Sequence, residues 1–412
     1  MSSHDIWITL RWFAFLSLNC FLLADCISAN TPPSSTGVVA ESSSTTSKQE
    51  PDRIPTATPT GTASPMPTAT VTLTGTPATT QTRKVPPSAT PELTATAPVT
   101  GVSFLEQTGE LEVASSGLFA LSPGGTFVAT SLLSDAFTTI DLFAVATGEL
   151  VWSFDKGVSG INGTTSYAFS GNGVLLAAGG FEQVVHVLNV ETGELIYELP
   201  MSNFIKAVDF SANGDYLAAA ASHERGRVRV WSVNTADYFD YPGPIPALDI
   251  AFSPKEPVLA IAQNYLAPHL PGDGGVLLWD LRTGDVGKIF PEETAEVVAI
   301  SPAGDFLAAR VGESLRLWDL ESELEIEVAE NKLERGRIEN IVFLDDEIFA
   351  VSIAIEDNSA GDQTVIKVWN TQGDFLGEAT LDGLQHIESS PEGHLLTGQY
   401  GERIQVWRVR RP

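Results

Sequence analysis

The chain has 412 residues, and its 23 Lys and Arg against 52 Asp and Glu give a formal net charge of −29 at pH 7. Such an acidic chain repels phosphate backbones and anionic headgroups, so we expect no nucleic-acid partner and no membrane contact away from the N-terminus. Both cysteines, Cys20 and Cys26, lie near the N-terminus, which leaves the remaining chain without a disulfide or a thiol nucleophile.

Residues 1–29 resemble an export signal. Arg11 precedes an apolar run over 12–24, which is shorter than the about 20 apolar residues of a usual transmembrane helix. Three outcomes stay open: cleavage after Ala29, retention of the leader as an anchor, and lipidation of Cys26, because Leu23-Ala24-Asp25-Cys26 is similar to a bacterial lipobox. Asp25 departs from the small residue usual before a lipobox cysteine. Each outcome predicts an extracytoplasmic protein that is secreted or held at the cell surface.

Residues 30–101 consist mainly of Thr, Pro, Ser and Ala, with repeated phrases such as TATPT over 56–60 and PTAT over 67–70. A segment with so few bulky apolar residues cannot bury a core, so it is predicted to be a disordered linker. Its prolines favour polyproline II, in which about 70 residues would reach roughly 200 Å as a stalk.

From residue 102 onward, the sequence repeats a pair of phrases. The first phrase is an apolar run, a Ser-Pro-x-Gly-like turn and a second apolar run, as in FSANGDYLAAA from Phe210. Apolar runs separated by such a turn predict a β-hairpin. Seven copies of this hairpin begin at Ala120, Phe169, Phe210, Phe252, Ile300, Phe343 and Ser389.

The second phrase alternates apolar and polar residues, reaches a bulky residue and ends in Thr-Gly or a similar pair. VLLWDLRTG over 276–284 predicts a half-buried third strand and a tight turn into a fourth strand, as in ELIYEL over 194–199. The bulky positions recur about every 44 residues, which is the spacing of a four-stranded propeller blade. They are Phe143, Leu188, Trp231, Trp279, Trp318, Trp369 and Trp407.

On these copies, residues 102–412 resemble a seven-bladed WD-repeat β-propeller, and the whole chain resembles a bacterial exported type with a Thr/Pro-rich linker. The resemblance implies an all-β fold in one closed ring of four-stranded blades. It also implies a buried polar network, but the Gly-His pair that opens family repeats occurs only at Gly393-His394, in a hairpin turn. The family's turn Asp before the Trp matches only at Asp273. We therefore expect apolar packing to hold the blades together.

The last repeat ends near Val409 without a fourth strand of its own. The Thr-Gly-Glu-Leu phrase at 108–111 echoes the phrases that lead into other fourth strands. We therefore expect residues 108–114 to complete the seventh blade and close the ring, since an open edge would aggregate.

The propeller region contains no Gly-rich phosphate loop, no Gly-x-Ser-x-Gly elbow and no His-Glu-x-x-His, and its histidines lack metal-ligand spacing. No catalytic residue, metal ligand or cofactor is predicted. The expected function is that of a non-catalytic extracytoplasmic binding or scaffold module, a monomer that displays its propeller on the stalk to bind a protein, peptide or glycan. Two alternatives remain, a propeller enzyme of hydrolase, lactonase or quinoprotein type and a structural subunit of an envelope assembly.

The connections between second and third strands, and between a fourth strand and the next first strand, open on one face of the ring, here called the second face. They vary most in length, and loops on a rigid scaffold concentrate binding residues. Two long ones, 236–246 and 263–275, carry aromatic residues with acidic neighbours, which suit peptide, glycan or cationic partners. The predicted binding rim consists of Tyr238, Phe239, Tyr241, Tyr265, His269 and Asp273. Alternatively, these rings pack the two loops against each other.

Overall fold

The computed structural model describes most of the region predicted to be a propeller. The described residues are 105–112, 115–132, 139–157, 164–221, 226–243, 245–255, 257–264, 274–289, 293–329, 336–355, 363–382, 384–390, 395–400 and 403–409. The predicted leader with Cys26 and the predicted linker lie outside them. Among the described residues, no helix is long and apolar enough to cross a membrane.

The described residues form 28 strands in seven antiparallel four-stranded sheets, which we call blades 1 to 7. Blades 1 to 4 contain β2 (Ser115–Leu121), β3 (Phe127–Leu132), β4 (Thr139–Ala144) and β5 (Leu150–Asp155); β6 (Thr164–Phe169), β7 (Leu175–Gly180), β8 (Val184–Asn189) and β9 (Leu195–Pro200); β10 (Ile205–Phe210), β11 (Tyr216–Ala221), β12 (Arg227–Ser232) and β13 (Tyr238–Asp240); and β14 (Ala247–Phe252), β15 (Val258–Gln263), β16 (Gly275–Asp280) and β17 (Val286–Ile289). Blades 5 to 7 contain β18 (Ala295–Ile300), β19 (Phe306–Val311), β20 (Ser314–Asp319) and β21 (Leu324–Ile326); β22 (Gly336–Phe343), β23 (Ile348–Ile355), β24 (Gln363–Asn370) and β25 (Phe375–Asp382); and β26 (Leu384–Ser390), β27 (Leu395–Tyr400), β28 (Arg403–Val409) and β1 (Leu105–Glu112).

The blades form a closed ring. Each innermost strand contacts the innermost strands of both neighbouring blades, and β26 of blade 7 contacts β2 of blade 1. The N-terminal strand β1 pairs with β28, from Leu105 opposite Val409 to Glu112 opposite Arg403. The Arg403 guanidinium also donates to the Glu110 carboxylate at 2.7 Å. The predicted closure of blade 7 by the segment around 108–114 is therefore confirmed.

In several blades, one serine hydroxyl satisfies the backbone of the turn between the first and second strands. Ser170 Oγ accepts a hydrogen bond from the Leu175 N–H at 2.9 Å, and Ser211 does the same for Tyr216 at 2.9 Å. Gly173 (φ 69°) and Gly214 (φ 73°) adopt the left-handed conformation that these turns require. In blade 6, whose turn has no serine, the Asp345 carboxylate accepts from the Ile348 N–H at 2.8 Å instead.

The bulky third-strand residues fill the cores between adjacent blades. Phe143, Leu188, Trp231, Trp279, Trp369 and Trp407 are buried, and Trp318 is half-buried. The indole N–H groups of Trp279 and Trp407 find no hydrogen-bond partner among the described residues. At these two positions the family's polar network is missing, as predicted, and apolar contacts hold the blades together.

One expected loop is partly a strand. The segment 236–246 was predicted to be one long connection on the second face, but Tyr238–Asp240 forms β13, the outer strand of blade 3, and pairs with β12. The strand is only three residues long, so its alternation was too short to stand out in the sequence. Only residues 241–246 connect blade 3 to blade 4 on the second face.

Candidate binding face

The structure places half of the predicted rim. Tyr238 and Phe239 lie on β13 and Tyr241 follows it, and all three are partly buried. Tyr265, His269 and Asp273 lie outside the described residues. The structure therefore does not test whether the two aromatic groups are neighbours.

Two rings of the rim pack against the next blade. Phe239 and Tyr241 meet the indole of Trp279 edge to face, with ring centroids 5.7 and 5.3 Å away. Phe239 also meets Tyr216, with centroids 6.4 Å apart. Trp279 is buried, so these contacts belong to the core between blades 3 and 4. Both rings therefore pack in the core, whereas packing of the two loops on each other stays a prediction, since residues 265–273 lie outside the described residues.

Tyr238 and Asp240 are engaged by arginines of the same blade. The Arg229 guanidinium lies over the Tyr238 ring, 3.8 Å from its centroid, and its Nε is 2.6 Å from Asp240. Arg227 reaches the same carboxylate at 3.0 Å. Burial opposes ionisation of Asp240, but the hydrogen bonds from Arg229 and Arg227 outweigh burial and lower its pKa. The Asp240 carboxylate is therefore already paired with two guanidinium groups.

A different aromatic pair is exposed on the second face. Phe181 lies in the connection between β7 and β8, and Phe204 lies just before β10. The two rings contact each other with centroids 5.3 Å apart, yet 38% of Phe181 and 44% of Phe204 remain exposed. Large exposed phenylalanines that already touch form a small apolar surface ready for a partner.

A backbone hydrogen bond and a buried ion pair hold the two connections that carry Phe181 and Phe204. The N–H of Met201 donates to the carbonyl of Gln183 at 2.8 Å, which ties the two connections together. Gln183 has a positive φ of 59°, a backbone conformation that costs a non-glycine residue about 1 kcal/mol or more. Between Phe181 and Gln183, the Glu182 side chain is buried and lies 3.1 Å from the Lys156 ammonium of the neighbouring blade. The buried pair anchors the turn that displays Phe181.

Lys156, Glu182 and His186 form a buried group between blades 1 and 2. Burial lowers the pKa of Lys156, and the charge of Glu182 opposes this effect. Burial also lowers the pKa of His186 to about 4, and the Lys156 charge adds to the shift. His186 is therefore neutral at pH 7. Within the described part of the chain, no group of three His, Cys, Asp or Glu side chains is arranged to hold a metal ion.

Acidic side chains of the inner strands link neighbouring blades around the central channel. The Asp209 carboxylate of blade 3 accepts from the Phe252 N–H of blade 4 at 2.7 Å, and Asp249 of blade 4 accepts from the Val298 N–H of blade 5 at 3.0 Å. Each carboxylate thus satisfies an amide on the free edge of the next inner strand. Burial raises the pKa of both carboxyls to about 7, although these backbone hydrogen bonds oppose the rise.

A second polar set lies between blades 6, 7 and 1. The His386 Nε2 is 2.9 Å from the Glu388 carboxylate, and its Nδ1 is 3.3 Å from the Asn340 amide. The imidazole also meets the Phe119 ring edge to face, with centroids 5.1 Å apart. Polar and ring contacts of His386 thus join the inner strands of three successive blades.

The inner strands begin at the second face, where basic side chains gather around the channel mouth. Arg337 lies 3.0 Å from the Glu296 carboxylate and 3.6 Å from Glu339, and Arg310 reaches Glu296 at 2.8 Å. Lys206, the second residue of β10, is half-buried. Burial lowers its pKa, and the charge of Arg337 lowers it further.

Seven four-stranded sheets in a closed ring make the protein a β-propeller. Residues 193–232, from the end of blade 2 to the third strand of blade 3, match the family model of the WD domain, G-beta repeat. The chain is thus a seven-bladed β-propeller with a WD-repeat match in blades 2 and 3, and WD-repeat propellers generally serve as protein-interaction scaffolds.

Two relatives carry the name Eukaryotic translation initiation factor 3 subunit I. The Aspergillus terreus protein is 30% identical over 122 residues, and the match covers 28% of this chain and 36% of that protein. The Aspergillus oryzae protein is 31% identical over 121 residues, with the same two shares of 28% and 36%. The chain thus spans about a third of the length of the curated relatives it matches.

Among solved structures, the crystal structure of the β-propeller domain of Cps50 (Swd1) from Myceliophteria thermophila is similar to this chain. The TM-score is 0.56 at 15% identity, covering 74% of this chain and 100% of that chain. At this identity the likeness supports the fold alone.

Sequence patterns did not identify Phe181, Phe204 or Lys206. Each is a single residue in a short connection or at a strand end, with no repeated motif around it. The sequence does contain one signal: Phe181 stands in a short connection between the second and third strands, where blade 5 has Gly312. Exposure cannot be inferred from that signal, because it depends on contacts with the next connection.

Proposed function

We propose that this protein is an exported, non-catalytic scaffold that binds a protein or peptide through the second face of its propeller. The observation that carries the proposal is the exposed Phe181–Phe204 pair, held in place by the backbone hydrogen bond between Met201 and Gln183. Preorganised aromatic residues give binding energy at little conformational cost.

Export is supported by the leader-like residues 1–29 and by the long Thr- and Pro-rich segment that follows. The propeller would stand away from the membrane on this stalk as a monomer, attached through the leader, through a lipid on Cys26, or not at all. A membrane-impermeant amine reagent applied to intact cells would label an exported propeller. Labelling only after lysis would contradict export.

The binding role is tested by placing a photo-crosslinking amino acid, p-benzoyl-phenylalanine, at Phe181 or Phe204 in the full chain in its native cells. The matched control carries it at Val174, which is 49% exposed but lies in a first-to-second-strand turn on the opposite face. We expect defined protein adducts from the two second-face positions and none from Val174. Equal adducts from all three positions, or adducts from Val174 alone, would contradict the proposal.

The same experiment distinguishes a transient partner from a fixed assembly. By their name, the two Aspergillus relatives are subunits of a larger factor. A subunit of an envelope assembly would give one adduct of constant stoichiometry that also co-purifies without crosslinking. A transient partner would be captured only after irradiation.

A further inference from the structure

Lys206 stands out among the basic residues of the propeller. The other partly or fully buried basic side chains in the described ranges have a carboxylate within 4.0 Å, as Arg229 has Asp240 at 2.6 Å and Arg310 has Glu296 at 2.8 Å. Lys206 is half-buried and has no such partner among the described residues. A partly desolvated ammonium without a counter-ion is unfavourable, and an incoming anion would relieve that penalty.

The neighbouring charges increase this preference for an anion. Arg337 adds positive potential at Lys206, and its own carboxylates, Glu296 and Glu339, are already engaged with it. Lys206 is therefore a cation that has no carboxylate of its own among the described residues, on a strongly acidic chain. It suits a single carboxylate, whereas the net charge of −29 repels polyanions such as nucleic acids.

An apolar surface lies directly beside this cation. Phe204 precedes Lys206 by two residues, which limits the distance between their Cα atoms to about 7 Å. The Ile205 side chain between them is buried, so the backbone at this point is fixed in the core of blades 2 and 3. In an extended partner segment, residues i and i+2 have this same spacing and point to the same side, so one segment can reach both features.

Building on the function proposed above, we propose that the partner presents a large apolar side chain two residues away from an acidic one. The apolar side chain packs on Phe181 and Phe204, and the carboxylate pairs with the Lys206 ammonium. The occupant is a linear protein segment, because both contacts need only residues i and i+2 of an extended chain.

The experiment uses 12-residue peptides displayed on phage and selected on the full-length protein. We expect enriched peptides to contain Asp or Glu two positions away from Leu, Ile, Phe or Trp. Synthetic copies should lose about 10–100-fold in affinity when Lys206→Met is introduced, the loss typical of one charged hydrogen bond. Lys206→Arg should retain most of the binding. Arg408→Met removes an exposed cation of β28 and is the control for net charge.

A double-mutant cycle assigns the contact. Replacing the acidic residue of the peptide by its amide should weaken binding to the wild type but not to Lys206→Met. Thermal unfolding of each variant shows that the fold is intact.

The outcomes separate the two proposals. Peptides that depend on Phe181 and Phe204 but ignore Lys206 would overturn the acidic partner and leave the binding face standing. Peptides that ignore all three residues would overturn both. A selection that enriches no sequence would overturn the acidic partner alone, because a short segment should suffice, and the crosslinking result would then decide the binding face.

Discussion

Replacing Asp249 by Asn should make the propeller more stable at pH 8 and should reduce the dependence of its stability on pH. In the folded protein, burial raises the pKa of Asp249 from its ordinary 3.8 to about 7, against the hydrogen bonds from Val298 and Ile250, and the charge of Glu388 adds to the rise. The nearby His386 acts in the opposite direction. Asn keeps an oxygen that accepts the Val298 N–H and carries no charge.

The direction in which stability changes with pH follows from proton binding in the folded and unfolded states. A carboxyl whose folded pKa is raised binds more protons when folded than when unfolded between about pH 4 and pH 7. Its contribution to stability is complete below about pH 4 and is lost as the pH rises through about 7. A pKa difference of about 3 corresponds to at most about 4 kcal/mol. Because the side chain keeps some exposure, we expect about 1–2 kcal/mol.

Urea unfolding at pH 4.5, 6 and 8 measures this effect. The stability of Asp249→Asn relative to the wild type should rise with pH by about 1–2 kcal/mol and level off above about pH 7. Asp209→Asn should behave alike, since burial also raises the pKa of Asp209 to about 7. Asp285→Asn changes an exposed carboxyl of blade 4 and is the matched control. A constant difference at all three pH values, or a destabilised Asp249→Asn at pH 8, would refute the reasoning.

Three further changes test the ring and the binding face. Glu182→Gln leaves its buried lysine partner without a counter-charge and should lower the free energy of unfolding by about 3–5 kcal/mol, measured by urea unfolding; a second change of that lysine to Met should restore part of the loss, and an unchanged single variant would contradict the ion pair. Deleting residues 105–112 removes β1 and should lower the melting temperature and promote oligomers in size-exclusion chromatography, because the edge of β28 becomes free; a monomer with the original melting temperature would show that the ring closes otherwise. Phe239→Ala should cost about 2–4 kcal/mol through lost packing on the next blade, whereas the exposed Phe181→Ala and Phe204→Ala should each stay within about 1 kcal/mol. The reverse order in thermal unfolding would mean that packing and display have been assigned to the wrong rings.

Most of the fold could be predicted from the sequence because the repeat states the same local rule seven times. In an inner hairpin turn, the serine hydroxyl accepts a backbone hydrogen bond and the glycine adopts the left-handed conformation, as Ser211 and Gly214 show. The third-strand bulky residues could be recognised by their spacing, and the unpaired last repeat required the N-terminal strand to close it. Where the local signal is short, the prediction is wrong: the three residues of β13 form a strand within a segment that was predicted to be a loop.

The candidate site could be predicted only as a face, because burial is a property of contacts between blades. Tyr238, Phe239 and Tyr241 form the most aromatic connection in the sequence, yet two of these rings pack on Trp279 and the third lies under Arg229. Their binding role stays a prediction.

Composition does not tell which aromatic residues a propeller uses inside and which it displays. Phe239 lies on an outer strand, and its ring meets the third-strand Trp of the next blade. Phe181 and Phe204 instead lie in connections at the ends of strands, where no third-strand residue of another blade can cover them, so they meet each other and solvent. The position within the blade therefore decides the role, and in a propeller whose ring is held by apolar packing the residues available for partners are those in the connections. Lys206 lies next to such a connection and has no carboxylate within 4.0 Å among the described residues, which is why an acidic partner is proposed above.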